Sequence, residues 1–169
     1  IGFGLAFTVW YPQVVLDFEK AQRQIHKNTI LYDRQGNPLR ILNGSENRLM
    51  IPYQEISRHL QLSVLAAEDS RFYQHRGIDI FRLLQAMWIN LISGQYRQGA
   101  STITQQLVKI TLLSPEKTLL RKFRELFIAL ALEHQYQKQQ IFEFYLNFIY
   151  LGHGNYGVEQ ASLAYFRKH

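Results

Sequence analysis

At 169 residues the chain is long enough for one domain with a real core, and 47% hydrophobic against 19% charged residues marks it as folded, which excludes a disordered chain. Its net charge of +6 favours an anionic partner (nucleic acid, lipid head groups or a phosphorylated substrate) without choosing among them. It has no cysteine, which excludes a disulfide framework and a cysteine-ligated metal and leaves the redox compartment open.

The opening IGFGLAFTVWY is apolar but shorter than the roughly 20 residues that span a bilayer. It reads either as a core strand or tag remnant, or as the outer end of a transmembrane anchor with Trp10 and Tyr11 at the interface. Residues 1–28 are assigned to that anchor end and a polar connector or short helix, and 29–169 to one domain. TILYDRQGNPLRIL (29–42) places two β-prone runs around a turn cluster and predicts a hairpin. From Gln54 onward the periodicity is helical, with helices expected near 55–68, 79–93, 101–113, 117–135, 138–150 and 157–166. The expected fold is therefore mainly α, with a small β element near its start.

Four stretches carry chemistry. In the first helix Ile56, Leu60, Val64 and Ala67 form one stripe, widened by Leu62 and Leu65, and Glu68 follows Val64 by four residues onto the same side. Partial desolvation there suits a carboxylate to general-base work. Asp69 points about 100° away around the helix, and the bland alternative is that both acids end the helix against Arg71 or Arg76. QGASTITQQLVK (98–109) pairs a flexible Gly99 with capping residues Ser101 or Thr102, so a helix start with free N–H groups becomes an anion site. Thr102, Gln105 or Gln106, and Lys109 share one face of that helix, a donor stripe ending in a cation. In EKTLLRKFRELFIALALE (116–133), Leu119, Leu120, Phe123, Phe127 and Leu130 are expected to be buried. Lys117, Arg121 and Arg124 line the other side with Lys122 beside them, and Glu125 either pairs with Arg121 or enters the site. LLQAMWINLISGQYRQ (83–98) is apolar around Trp88 and reads equally as core or as a membrane-dipping surface. The six histidines show no metal-ligand spacing, and His153 reads as a loop residue.

Taken together and in order, these stretches resemble the peptidoglycan glycosyltransferase domain (glycosyltransferase family 51) of class A penicillin-binding proteins and monofunctional transglycosylases. EDSRFYQHRG resembles its first motif, GASTITQQLVK its second, RKFRE its third and KQQIFEFYLNFIYLGHGNYG its fourth. The resemblance covers roughly 30–169, and the hairpin that precedes the four motifs looks nearest to the penicillin-binding protein 1C branch. It implies a lysozyme-like, mostly α fold with a membrane-associated jaw lobe, incomplete here at its C-terminal end. It implies polymerisation of lipid II into β-1,4-linked glycan strands with inversion and release of undecaprenyl diphosphate, at the outer face of the bacterial cytoplasmic membrane.

By the same resemblance Glu68 is the base and Glu125 the second carboxylate. Asp69 orders nearby basic residues and Arg71 helps hold phosphate. Ser101, Thr102, Gln105, Gln106 and Lys109 line the donor site, while Arg121, Lys122 and Arg124 offset the charge growing on the diphosphate. Glu143, Tyr145 and Asn147 support the cleft. No cofactor is required, although magnesium at the diphosphate is compatible. The implied partners are lipid II, the growing glycan, the membrane and moenomycin-type inhibitors, with a transpeptidase domain in the parent chain of class A members and no nucleic acid. Two departures stand out: Ile110 replaces a usual Asn, and Arg167 replaces the Gly of a usual Tyr-Phe-Gly-Lys. The competing readings are a lysozyme-like muramidase, which needs no diphosphate cradle, and a non-catalytic membrane-surface or glycan-binding module.

Overall fold

The computed structural model describes residues 12–21, 23, 29–35, 38–42, 47–95, 99–114, 116 and 118–169. The apolar opening to Tyr11 lies outside them, as do Lys117 and residues 96–98. Helix α1 covers 12–21. Strands β1 (Thr29–Tyr32) and β2 (Pro38–Leu42) pair antiparallel, with an irregularity between Leu31 and Tyr32. Short β3 (Asn47–Arg48) runs parallel to β4 (Asn155–Tyr156). The helices are α2 (Arg58–Glu68), α3 (Ile80–Ser93), α4 (Ile103–Thr111), α5 (Leu119–Gln135), α6 (Lys138–Phe148) and α7 (Val158–Phe166). The domain is mainly α, as the periodicity implies.

Local chemistry sets the ends. Asp79 caps α3 by accepting from the Arg82 N–H at 2.9 Å, and Thr118 caps α5 by accepting from the Arg121 N–H at 3.1 Å. At α4 Thr102 accepts from the Gln105 N–H at 3.3 Å while the Gln105 side chain accepts from the Thr102 N–H at 2.8 Å, a reciprocal capping box. Of the three residues before α2 that periodicity counts as helix, Glu55 belongs to a separate 3-10 turn, Tyr53–Glu55.

The core is built on α4, which packs against both α5 and α6. Ile103, Leu107 and Val108 of α4 meet Ala129 and Leu132 of α5 and Phe142 and Leu146 of α6, all fully buried. Phe18 of α1 joins this core edge-on against Tyr136 and Phe144 at 5.6 and 5.4 Å. Asn147 stitches the chain before α2 onto α6: it donates to the Ile51 carbonyl and accepts from the Ile51 N–H, both at 2.9 Å. Glu143 accepts from the Tyr53 N–H at 3.2 Å.

Two expected apolar stripes are corrected. On α5, Leu119, Leu120 and Phe123 are 81%, 61% and 60% exposed and Leu130 is also exposed, while the buried face carries Glu125, Ile128, Ala129, Ala131 and Leu132. The reason is that α5 is apolar at nearly every uncharged position, so its stripe has no unique phase, and the burial of Glu125 by cations turns the helix. On α2, Leu60, Leu62 and Ala67 are exposed; Ile56 beside the helix and Gln61 are buried, and Val64 and Leu65 only lean on the core.

Candidate active site

Glu68 is the last residue of α2 and is half-buried. Its Oε2 accepts from Gln106 Nε2 at 2.9 Å, and Gln106 Oε1 in turn accepts from the Tyr145 hydroxyl at 3.2 Å. Burial, and then the negative charge of Glu68, push the Tyr145 phenol well above its ordinary value, so it remains a neutral donor. A phenol that donates to the amide oxygen leaves the amide NH2 for the carboxylate, and so the orientation of Gln106 is fixed. Sequence reading placed Tyr145 among supporting residues; the chain of bonds makes it the residue behind the Glu68 contact. Its core spacing gave no signal of that role.

Asp69 does not take the arginine partners of the bland alternative. It is 1% exposed and accepts from His75 Nε2 at 3.1 and 3.0 Å on its two oxygens, and from the Ile103 N–H at 3.1 Å. Its charge therefore sits on the N-terminus of α4, where the helix dipole favours an anion. The first motif is thus bolted to the second by backbone geometry that lies 34 residues away in sequence. Gly77 completes the joint. Its φ of +83° is left-handed, its carbonyl accepts from the Thr102 hydroxyl at 2.6 Å, and a Cβ there would meet the Ala129 carbonyl oxygen at 3.2 Å.

Arg71 makes a two-pronged contact with Asp79, Nε to Oδ2 at 3.0 Å and Nη2 to Oδ1 at 2.5 Å, and lies 5.2 Å over the Phe81 ring. Burial of Asp79 works to raise its pKa, but the Arg82 N–H and the Arg71 guanidinium outweigh it and hold the carboxyl below its ordinary 3.8. Arg82 Nη1 also donates to the Glu68 carbonyl. A cleft of about 220 Å³ opens here, lined by Glu68, Asp69, Ser70, Arg71, Arg82 and Gln85, among others.

At the other side of the α4 start, Lys122 donates to Ser101 Oγ at 3.1 Å and to Glu125 Oε1. Glu125 is 2% exposed, and Arg121 Nη1 stands 3.9 Å from its second oxygen. Arg121 Nε and Nη1 are buried without a hydrogen-bond partner among the described residues, donors held ready for an acceptor. Of the two roles left open for Glu125, orienting cations is the one its surroundings match. Thr102 and Gln105, expected to line a donor site, are 0% and 3% exposed and spend their polar groups on the cap. Gln106 and Ser101 face the site instead, and Lys109 is exposed one turn further along α4. Arg124 is displaced from the cluster: it lines a separate slot of about 220 Å³ with Val14 and Asp17 of α1, because α5 turns it toward that helix.

The structure also brings Asp69, His75 and Asp79 within 4.8 Å of one another, a proximity that histidine spacing hid. The set does not fit a resident divalent ion. Every carboxylate oxygen already accepts from Arg71, the Arg82 N–H, His75 or the Ile103 N–H.

A sequence model described as Transglycosylase matches residues 35–169. Among curated proteins, penicillin-binding protein 1F of Bacillus subtilis is 40% identical over 144 residues, which is 85% of this chain and 20% of that protein. Penicillin-binding protein 2D of the same species is 42% identical over 146 residues, 86% of this chain and 21% of that protein. Penicillin-binding protein 1A of Escherichia coli is 45% identical over 125 residues, 74% and 15% respectively. The chain thus spans about a fifth or less of the length of these relatives. They do not bear on the 1C branch.

Proposed function

Because the chain belongs to the transglycosylase family, we propose that it works as a peptidoglycan glycosyltransferase, joining lipid II units into β-1,4-linked glycan. Glu68 takes the proton from the 4-hydroxyl of the acceptor sugar as that oxygen bonds to the donor's anomeric carbon. The bond from that carbon to the diphosphate breaks on the opposite face, configuration inverts, and undecaprenyl diphosphate leaves. The negative charge growing on the leaving group is met by Lys122, Arg121 and Lys109, the electrostatic contribution that weighs most in such transfers. Arg71 and Arg82 set the potential of the cleft from its rim. The observation that carries this reading is the pairing of two features at one helix start. A carboxylate is held by the Tyr145–Gln106 chain on one side, and the Ser101–Lys122–Glu125 cluster with unfilled Arg121 donors lies on the other. A muramidase has no use for the second feature. The reaction needs no resident cofactor, and magnesium enters only as the counter-ion a diphosphate brings.

The membrane side of the proposal rests on α3. Phe81, Trp88, Leu91 and Ile92 are 74%, 65%, 76% and 68% exposed, with Ile80, Leu84 and Met87 beside them, far more apolar surface than a water-facing helix ordinarily shows. This is the jaw lobe, dipping into the outer leaflet of the bacterial cytoplasmic membrane so that a lipid-linked substrate reaches the cleft without leaving the bilayer. Among the described residues no helix is long and apolar enough to cross a membrane. The parent chain carries a transpeptidase domain in this reading, and moenomycin-type phosphoglycolipids compete with the donor. The test is the full-length protein incubated with lipid II and the products sized. Long, moenomycin-sensitive glycan supports the proposal; shortening of preformed glycan, or no change in either substrate, contradicts it.

A further inference from the structure

Behind the site, on the other side of the buried Asp69–His75 pair, lies a groove of about 730 Å³, within the roughly 300–1,000 Å³ typical of small-molecule sites. Its lining is polar and planar: Tyr73, Tyr136, Gln74, Gln137, Gln139 and Arg76. The floor is fixed by Lys138, which donates to Glu133 at 2.8 Å and sits 4.2 Å over the Phe72 ring. His75 also lines it, with its side chain only 9% exposed. Because His75 Nε2 faces both oxygens of Asp69, that nitrogen donates, and Nδ1 is left buried with no hydrogen-bond partner among the described residues. A buried unpaired nitrogen beside an open groove calls for a partner from outside.

We propose that this groove is a second saccharide-binding site, one that holds glycan away from the cleft where the bond is made. This rests on the polymerase reading above. The chemistry selects the ligand class. Sugar hydroxyls both donate and accept, so they satisfy Nδ1 in either protonation state of His75. The glutamine amides match hydroxyl and N-acetyl groups. The half-exposed face of Tyr73 (52%) stacks on the apolar side of a pyranose ring, and Arg76 meets the carboxylate of a lactyl or peptide substituent. The lining offers no aliphatic surface for a lipid tail, so glycan freed of its lipid is the ligand. The experiment is a calorimetric titration of the full-length protein with a lipid-free tetrasaccharide of alternating N-acetylglucosamine and N-acetylmuramic acid, repeated on Tyr73→Ala, Arg76→Ala and Lys122→Ala. The expected result is saturable binding, weakened at least tenfold by Tyr73→Ala and by Arg76→Ala and unchanged by Lys122→Ala. In a lipid II assay the first two variants keep the rate of the first coupling and make shorter strands. No binding to the wild type, or binding lost only in Lys122→Ala, overturns the proposal. The titration needs no turnover, so a protein that binds the tetrasaccharide yet polymerises nothing refutes the polymerase reading and leaves the groove standing.

Discussion

Helices α3 and α6 look alike as apolar segments and have opposite fates. Of the 11 residues of α6, six are buried; of the 14 of α3, only Ala86 is. The difference lies in the polar residues. In α6 Glu143, Tyr145 and Asn147 each reach a specific partner on another segment, so the helix has one rotation that satisfies them all. In α3 Asp79 and Arg82 anchor the first turn, and Phe81, Leu84, Met87, Trp88, Leu91 and Ile92 are left exposed. Apolar density predicts that a surface avoids water; long-range polar bonds decide whether the rest of the protein covers it.

That contrast can be broken at several points. Phe142→Ala in α6 removes a fully buried ring and is expected to cost about 3–5 kcal/mol in chemical denaturation. Asn147→Ala leaves both the N–H and the carbonyl of Ile51 without their partner and should cost about 1–3 kcal/mol. Asp79→Asn tests the α3 anchor through pH. The native carboxyl titrates below 3.8, so its contribution is complete above that pH and is lost as pH falls through the native value. The stability gap between wild type and Asp79→Asn should therefore narrow on acidification below 3.8, and a gap that widens contradicts the assignment.

Arg167 caps α7 with a left-handed φ of +55°, the position where the resemblance led one to look for Gly. Arg167→Gly should raise stability by about 1 kcal/mol, since the left-handed conformation costs a side-chain-bearing residue roughly that much. The smallest change in folding stability belongs to Leu91→Ala on α3, within about 0.5 kcal/mol for a residue the protein does not bury. The same variant should bind anionic lipid vesicles about tenfold more weakly, by the apolar area it withdraws from the bilayer. A large loss of stability with unchanged vesicle binding would put α3 back in a protein core.

Much of this was legible from residues alone where the information is local. Helical periodicity places the starts of α3, α4 and α5 to within two residues, a cap is legible at Ser101 or Thr102, and spacing together with resemblance points to Glu68, Gln106 and Lys122. What escaped depends on contacts far apart in sequence. The bond from Asp69 to the Ile103 N–H and the reach of Tyr145 to Gln106 are tertiary facts with no periodic signature. The rotation of α5 is not legible in its sequence because Leu119, Leu120 and Phe123 satisfy a helical stripe as well as Ile128 and Leu132 do. Only the ion pairs around Glu125 break the tie.

Glu68, held by Gln106 and Tyr145, is the proposed base of the glycosyl transfer. The most direct measurement compares wild type with Glu68→Gln in lipid II polymerisation by the full-length protein, with thermal melting recorded on both. The account predicts unchanged melting and a rate reduced by about 10²–10⁴-fold, the usual contribution of a positioned general base. Near wild-type turnover in Glu68→Gln would contradict it.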